Sequence, residues 1–105
     1  MAVYHATKEN YDTLTAADGI TIVDFYTTTC GPCKLFSRVL DDLQAELPFV
    51  SVVKVNLTDV PALGERFEIH ATPTILFYKD GQMVERRIGV IDQDELQEII
   101  GGYLY

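Results

Sequence analysis

The chain has 105 residues, of which 48% are apolar and 23% charged, and its formal net charge is -8 at pH 7. This length fits one domain spanning residues 1–105, and an acidic balance without Lys and Arg clusters excludes nucleic acid and anionic membranes as partners. Residues 1–5 lack the charged and apolar segments of an export signal, and no apolar run approaches the roughly 18 residues of a membrane helix. We therefore expect a soluble, monomeric and cytoplasmic protein.

The first half of the chain alternates strands and helices. Residues 3–6 can form a short edge strand, and Thr7 can cap a helix over residues 8–17 whose inward face includes Tyr11. The next segment, residues 20–26, is β-rich and almost entirely apolar. That pattern is typical of a central strand covered on both faces.

A long helix and a third strand follow. Apolar residues recur at helical spacing and predict a helix from about residue 32 or 33 to residue 46, which Pro48 ends. Residues 49–56 then form a strand that contains Lys54. The apolar stripe of the helix comprises Leu35, Phe36, Val39, Leu40, Leu43 and Leu47.

The second half predicts a hairpin and a final helix. A short helix over residues 61–67 precedes two strands, residues 74–79 and 83–89, which flank an Asp80-Gly81 turn and are therefore antiparallel neighbours.

Asp92 begins the last helix with Glu95 three residues later, an Asp form of the capping box, and residues 101–105 form its end and a tail. The element order βαβαβαββα indicates an α/β fold with a mixed sheet and helices on both faces. The inward side of the last helix consists of Leu96, Ile99 and Ile100.

Both cysteines of the chain lie in one Cys30-Gly31-Pro32-Cys33 unit directly after the apolar second strand. Such a pair can close a disulfide within one turn, but so short a loop adds little stability, so reversible chemistry explains it better than a structural bond. The unit indicates redox or metal chemistry. His70 is a conceivable third metal ligand, but structural zinc sites need four protein ligands, so we expect no metal site.

Motifs spread over the whole chain resemble the thioredoxin family. The resemblance implies a thioredoxin fold, a central mixed sheet of about five strands flanked by about four helices. It also implies thiol-disulfide chemistry. The segments that carry the resemblance are Val23-Asp24-Phe25, Cys30-Gly31-Pro32-Cys33-Lys34, Ala71-Thr72-Pro73-Thr74, Asp80-Gly81 and Gly89.

Four residues are expected to be catalytic. If the helix begins at the cysteines, its N-terminus favours the thiolate of Cys30, which attacks a disulfide in another protein, and Cys33 resolves the mixed disulfide. Asp24 is a carboxylate in an apolar strand, so its pKa should be raised. The resemblance assigns Asp24 as a proton acceptor for Cys33, acting through water, and places Lys54 near it.

The resemblance also implies a substrate-binding surface around Cys30. Pro73 matches the family's cis-proline, which lets the backbone of Thr72 pair with an extended substrate segment. The other residues of this predicted surface are Thr29, Gly31, Pro32 and Gly89.

The chain departs from the family pattern at three positions. Tyr26 and Thr29 replace usual tryptophans, so the rim of the site should be smaller and more polar. Arg38 replaces a proline that commonly kinks the helix, which should be straighter here. These changes affect the expected substrates and reductase rather than the reaction.

We therefore expect a thioredoxin-like electron donor that reduces protein disulfides. It should bind no cofactor and should be recharged by an NADPH-dependent, thioredoxin-reductase-like flavoprotein; its other partners are disulfide-containing client proteins. One alternative is a specialist for mixed disulfides with low-molecular-weight thiols, or for disulfide isomerisation. Another is a protein-binding subunit without a redox function.

Overall fold

The elements follow the predicted order βαβαβαββα in this computed structural model, which describes residues 3–104. They are β1 (Val3–His5), α1 (Tyr11–Thr15), β2 (Ile20–Tyr26), α2 (Gly31–Glu46), β3 (Ser51–Asn56), α3 (Pro61–Arg66), β4 (Thr74–Lys79), β5 (Gln82–Ile88) and α4 (Gln93–Leu104). The sheet order is β1-β3-β2-β4-β5. The strands β1, β3 and β2 are parallel, whereas β4 is antiparallel to β2 and β5 to β4. Among the described helices, none has the length and apolarity to span a membrane.

Each face of the sheet carries its own apolar core, because successive side chains of a strand point to opposite faces. On the α2/α4 face, Ile22 of β2 packs with residues such as Phe36 and Leu96. On the α1/α3 face, Val23 of β2 packs with residues such as Tyr11 and Leu63. The central strand β2 is therefore covered on both sides, as its apolar sequence predicts.

The hairpin prediction is also confirmed. Strand β4 has the predicted bounds, and β5 pairs with it in antiparallel register. The turn between them has positive φ at Asp80 (50°) and Gly81 (86°). Two consecutive left-handed residues match the right-handed twist of the flanking strands, which explains why Asp-Gly is favoured here.

Helix α1 is shorter than predicted, although Thr7 makes the capping bonds that the sequence predicts. The regular helix begins at Tyr11, and the side chain of Asn10 caps none of its N–H groups. The N–H of Thr7 donates to Oδ1 of Asn10 at 2.6 Å, and the N–H of Asn10 donates to the Thr7 hydroxyl at 3.1 Å. These reciprocal bonds have the geometry of a capping box, and the N–H of Tyr11 donates to the carbonyl of Thr7 at 3.2 Å, so the turn that starts at Thr7 leads into the helix.

Two apolar residues depart from their predicted positions, Leu35 on the buried stripe of α2 and Phe49 at the start of β3. Leu35 is 54% exposed because it lies off the stripe that Cys33, Phe36 and Leu40 form on the sheet side of α2. Phe49 is 56% exposed because the chain turns before β3, where the N–H of Val50 donates to the carbonyl of Leu47.

Helix α4 starts as predicted and extends further. The N–H of Glu95 donates to Oδ1 of Asp92 at 2.9 Å, and Leu96 and Ile100 are buried, with Ile99 packed against them. The helix continues through the segment predicted as its end and tail, as far as Leu104, and Tyr105 lies outside the described residues.

Candidate active site

The two cysteines lie where β2 leads into α2. Cys30 is the N-cap residue in extended conformation, and Gly31 and Pro32 begin the helix. Cys30 and Cys33 form a disulfide bond, with 5.2 Å between their Cα atoms. The N–H of Cys33 donates to Sγ of Cys30 at 3.1 Å. Cys33 is only 3% exposed whereas Cys30 is half-buried, so Cys30 is the sulfur that a partner can reach.

The loop before β4 packs against Cys30. The Thr72-Pro73 peptide bond is cis, as the resemblance implies. The carbonyl oxygen of Thr72 lies 3.6 Å from Sγ of Cys30, and this is a packing contact because a disulfide sulfur carries no hydrogen to donate. The carbonyl of Pro73 accepts a hydrogen bond from the N–H of Gly89 at 2.8 Å. The end of β5 is thereby joined to the same loop.

Exposed polar and apolar residues border these elements. Ile88 and Val90 are 64% and 39% exposed on either side of Gly89, where the sequence predicted only the glycine. The signal for Ile88 is its register partner Thr74, which opens β4 directly after Pro73. The predicted rim residues Thr29, Gly31 and Pro32 are also exposed.

Asp24 is the buried carboxylate of the site. It lies on β2, faces α2 and is 1% exposed. No hydrogen-bond partner for its Oδ1 atom exists within residues 3–104. Burial raises the pKa of Asp24 to about 7, although the positive charge of Lys54 acts in the opposite direction. The predicted rise in pKa is therefore confirmed, and desolvation is its cause.

Lys54 lies beside Asp24, as the resemblance implies. The two residues are register partners on the parallel strands β2 and β3. The Nζ atom of Lys54 donates to the hydroxyl of Ser37 at 2.6 Å. Ser37 was missed by sequence reasoning, although its position four residues after Cys33 places both side chains on one side of α2.

A cleft of about 300 Å³ joins these groups to solvent. A cleft of this size has room for several water molecules. The buried carboxylate, the second cysteine and the lysine therefore share one hydrated space. Its lining includes Asp24, Cys33, Ser37, Lys54, His5 and Tyr26.

Of the remaining candidates, His70 and Arg38 lie outside this arrangement, and Tyr26 lies within it. His70 is exposed and lines a different surface depression, beside α3, and no group of three potential metal ligands is found in the part of the chain that the structure describes. Arg38 is exposed on α2. Tyr26 is half-buried in the cleft, where burial and the charges of Asp24 and Asp59 raise its pKa.

The comparisons with known proteins agree with this geometry. The thioredoxin family model matches residues 2–101. The thioredoxin of Chlamydia muridarum is 42% identical over 84 residues, which cover 80% of this chain and 82% of that protein. The thioredoxin of Staphylococcus saprophyticus is 31% identical over 105 residues, or 99% of this chain and 100% of that protein.

Solved structures show the same similarity. A mutant thioredoxin from Halobacterium salinarum matches with a TM-score of 0.88 at 28% identity and covers 99% of this chain and 92% of its own. A second match, with a TM-score of 0.85 at 29% identity, covers 95% of this chain and 94% of its own; it comes from work on the thiol resolving mechanism in yeast mitochondrial 1-Cys peroxiredoxin via glutathione/thioredoxin systems. The fold, the Cys-x-x-Cys disulfide and these relatives together establish that the chain belongs to the thioredoxin family and is a thiol-disulfide oxidoreductase.

Proposed function

We propose that the chain reduces protein disulfides, with Cys30 as the attacking thiolate and Cys33 as the resolving thiol. In the reduced protein, Cys30 attacks a client disulfide, forms a mixed disulfide and releases one client thiolate. Cys33 then attacks Sγ of Cys30, which closes the Cys30–Cys33 disulfide and releases the second client thiolate. Two electrons pass to the client. The observation that carries this assignment is the unequal exposure of the two sulfurs at the start of α2.

Backbone geometry supports the choice of nucleophile. The N–H of Cys33 points at Sγ of Cys30, and α2 continues for 16 residues behind it. Unpaired N–H groups and the dipole of a long helix stabilise a negative charge at its N-terminus. A thiolate on Cys30 would therefore be favoured, whereas Cys33 is covered by protein.

Asp24 is proposed as the proton acceptor for Cys33. A cysteine must lose its proton before it attacks, and Asp24 and Cys33 line the same cleft. A carboxyl group with a pKa of about 7 exchanges protons readily near neutral pH. Water in the cleft can carry the proton from Cys33 to Asp24. We assign Lys54 to the same site because its charge eases ionisation of Asp24.

The client is proposed to bind along the rim beside Cys30. Thr72 belongs to the loop that contacts Cys30, and the exposed Ile88 lies beside that loop. An extended client segment could pair with the backbone of Thr72 and pack on Ile88. The proposed client-binding residues are Thr29, Gly31, Pro32, Thr72, Pro73 and Gly89.

We also propose the cellular setting that the family suggests. A thioredoxin-reductase-like flavoprotein that uses NADPH would return Cys30 and Cys33 to thiols after each cycle. Disulfide-containing proteins would be the clients. Residues 1–105 would act as one monomeric domain in the cytoplasm.

Single cysteine variants test the two assignments. With insulin as the disulfide client, Cys33→Ser should accumulate a mixed disulfide through Cys30, because the second step is blocked. Cys30→Ser should form none, because the accessible nucleophile is gone. Non-reducing mass spectrometry identifies the linked cysteine. A mixed disulfide through Cys33 in the Cys30→Ser variant, at a rate equal to that of the other variant, would reverse the assignment.

The reduction potential of the Cys30/Cys33 couple separates a general reductant from the specialist alternative. A midpoint near the roughly -270 mV known for thioredoxin, in dithiothreitol or glutathione buffers, supports a reductant of protein disulfides. A midpoint between roughly -180 and -120 mV would favour isomerisation or oxidation. The exposed Thr29, where relatives usually carry tryptophan, is the feature that makes this alternative worth measuring.

A further inference from the structure

We infer that Ser37 is a positioning residue that holds the ammonium group of Lys54 beside the Asp24 carboxylate without direct contact. The inference rests on the proposed function of Asp24 as the proton acceptor. Ser37, which carries the hydroxyl, lies outside the Cys30-Gly31-Pro32-Cys33 unit. Three observations carry it.

The first observation is the hydrogen bond itself. Nζ of Lys54 donates to Oγ of Ser37 at 2.6 Å, a short bond with a charged donor. Both side chains are only half-buried, so the bond has to compete with water. A bond of this kind fixes one of the more flexible side chains at the site.

The second observation is what Lys54 does not contact. Although Lys54 is the register partner of Asp24, no ion pair within 4.0 Å joins them, judged over the described residues 3–104. The Oδ1 atom of Asp24 has no partner within that same part of the chain. The ammonium group of Lys54, which could otherwise pair with Oδ1 of Asp24, is therefore held on the α2 side of the cleft.

The third observation is the shared position of Ser37 and Cys33 on α2. They are four residues apart, and both line the cleft that contains Asp24 and Lys54. The bond from Ser37 to Lys54 therefore links the helix that carries the resolving cysteine to the strand beside the carboxylate. The position of Lys54 is fixed relative to both reacting groups.

The chemical consequence concerns the strength of Asp24 as a base. A cation in direct contact stabilises the carboxylate and weakens it as a proton acceptor, whereas a cation held farther away leaves it basic near neutral pH. No charge faces Asp24 from β4, where its register partner is Ile75. The titratable groups that face the cleft are Tyr26 from β2, Lys54 from β3, His5 from β1, and Cys33 and Lys34 from α2.

The test is a pH titration of Asp24 in the oxidised protein, in which NMR monitors the chemical shift of its carboxyl carbon. Ser37→Ala should lower the titration midpoint by about one pH unit, because Lys54 is released toward the carboxylate. Ser37→Thr should restore the parent midpoint, since it keeps the hydroxyl. In a Lys54→Met background, Ser37→Ala should have no effect. Ser51→Ala, at the only other serine of the chain, should leave the midpoint unchanged.

Two results would overturn the inference. One is an unchanged midpoint in Ser37→Ala, and the other is a shift of the same size with and without Lys54. Because the titration requires no turnover, it is independent of whether Asp24 accepts the proton of Cys33. That function fails separately, if Asp24→Asn resolves the mixed disulfide as fast as the parent protein does.

Discussion

Two buried polar groups on opposite faces of the sheet differ in whether their atoms are paired. On the α1/α3 face, the hydroxyls of Tyr11 and Tyr78 lie 2.9 Å apart and bond to each other. The ring of Phe67 packs on Tyr11 with 5.1 Å between centroids. On the α2/α4 face, Oδ1 of Asp24 is buried without a partner in residues 3–104. The tyrosine hydroxyls are paired, although Oγ1 of Thr21 on the same face has no partner in residues 3–104, whereas on the other face a carboxylate oxygen is unpaired beside the cysteines.

The electrostatic consequences differ in the same way. Burial and the bond to Tyr78 raise the pKa of Tyr11 far above the physiological range, so that hydroxyl stays neutral. Burial raises the pKa of Asp24 to about 7, where its charge changes with small changes of pH. A paired hydroxyl can stabilise a core. An unpaired buried carboxylate lowers the stability of the fold, and such groups are found at sites where they exchange a proton in a reaction.

The largest effect should follow from removing that carboxylate. The pKa of Asp24 is raised from 3.8 to about 7, so the unfolded state loses this proton first and stability falls as the pH rises between these values. Asp24→Asn should therefore raise the free energy of unfolding by up to about 4 kcal/mol at pH 8. The gain should shrink below about 1 kcal/mol at pH 4.

Urea unfolding at both pH values measures this difference. Asp41→Asn, an exposed carboxylate on α2, is the matched control and should show no comparable gain. A gain from Asp24→Asn of equal size at pH 4 and pH 8 would mean that the charge of Asp24 is not the source of the cost.

A smaller effect is expected from the tyrosine pair. Tyr11→Phe leaves the hydroxyl of Tyr78 buried without its partner and should lower the free energy of unfolding by about 1–3 kcal/mol. The double variant Tyr11→Phe/Tyr78→Phe should lose less than the sum of the two single variants, because no orphaned hydroxyl remains. Denaturant unfolding of all four proteins gives the coupling energy. Strict additivity of the changes in unfolding free energy would show that the two hydroxyls do not satisfy each other. Tyr4→Phe, at an exposed tyrosine, is the control.

Local patterns in the sequence predict the strands, the turn and the buried carboxylate of Asp24 better than they predict the tyrosine pair. The strands Ile20–Tyr26 and Thr74–Lys79 and the Asp-Gly turn are encoded by neighbouring residues, and their bounds were correct. The raised pKa of Asp24 also follows from one acid in an apolar strand.

Contacts between distant residues were not predictable. The bond between Tyr11 and Tyr78 spans 67 positions, and no local pattern encodes it. The bond from Lys54 to Ser37 depends on which way a long side chain turns, which composition and periodicity do not determine. The prediction that the loop at Pro73 lies against Cys30 came from the family resemblance and not from the pattern of residues.

The smallest effect concerns an exposed contact between β5 and the segment that leads to the active-site loop. The guanidinium of Arg86 on β5 donates to the carbonyl of Phe67 at 2.6 Å and to that of Glu68 at 3.0 Å. Glu68 has a φ of 52°, so these bonds hold a backbone turn that few side chains favour. This turn leads from α3 toward Thr72.

Arg86→Met should therefore loosen the loop more than it destabilises the fold. Because Arg86 is exposed, its loss should lower the free energy of unfolding by no more than about 1 kcal/mol. Amide hydrogen exchange in residues 67–72 should accelerate severalfold, while exchange in β2 and β4 follows only the small global change. Arg38→Met, an exposed arginine on α2, should change neither. Equal acceleration in the loop and in the central strands would mean that Arg86 supports the whole fold, and the active-site loop would then owe its order to the contacts of Thr72 and Pro73 alone.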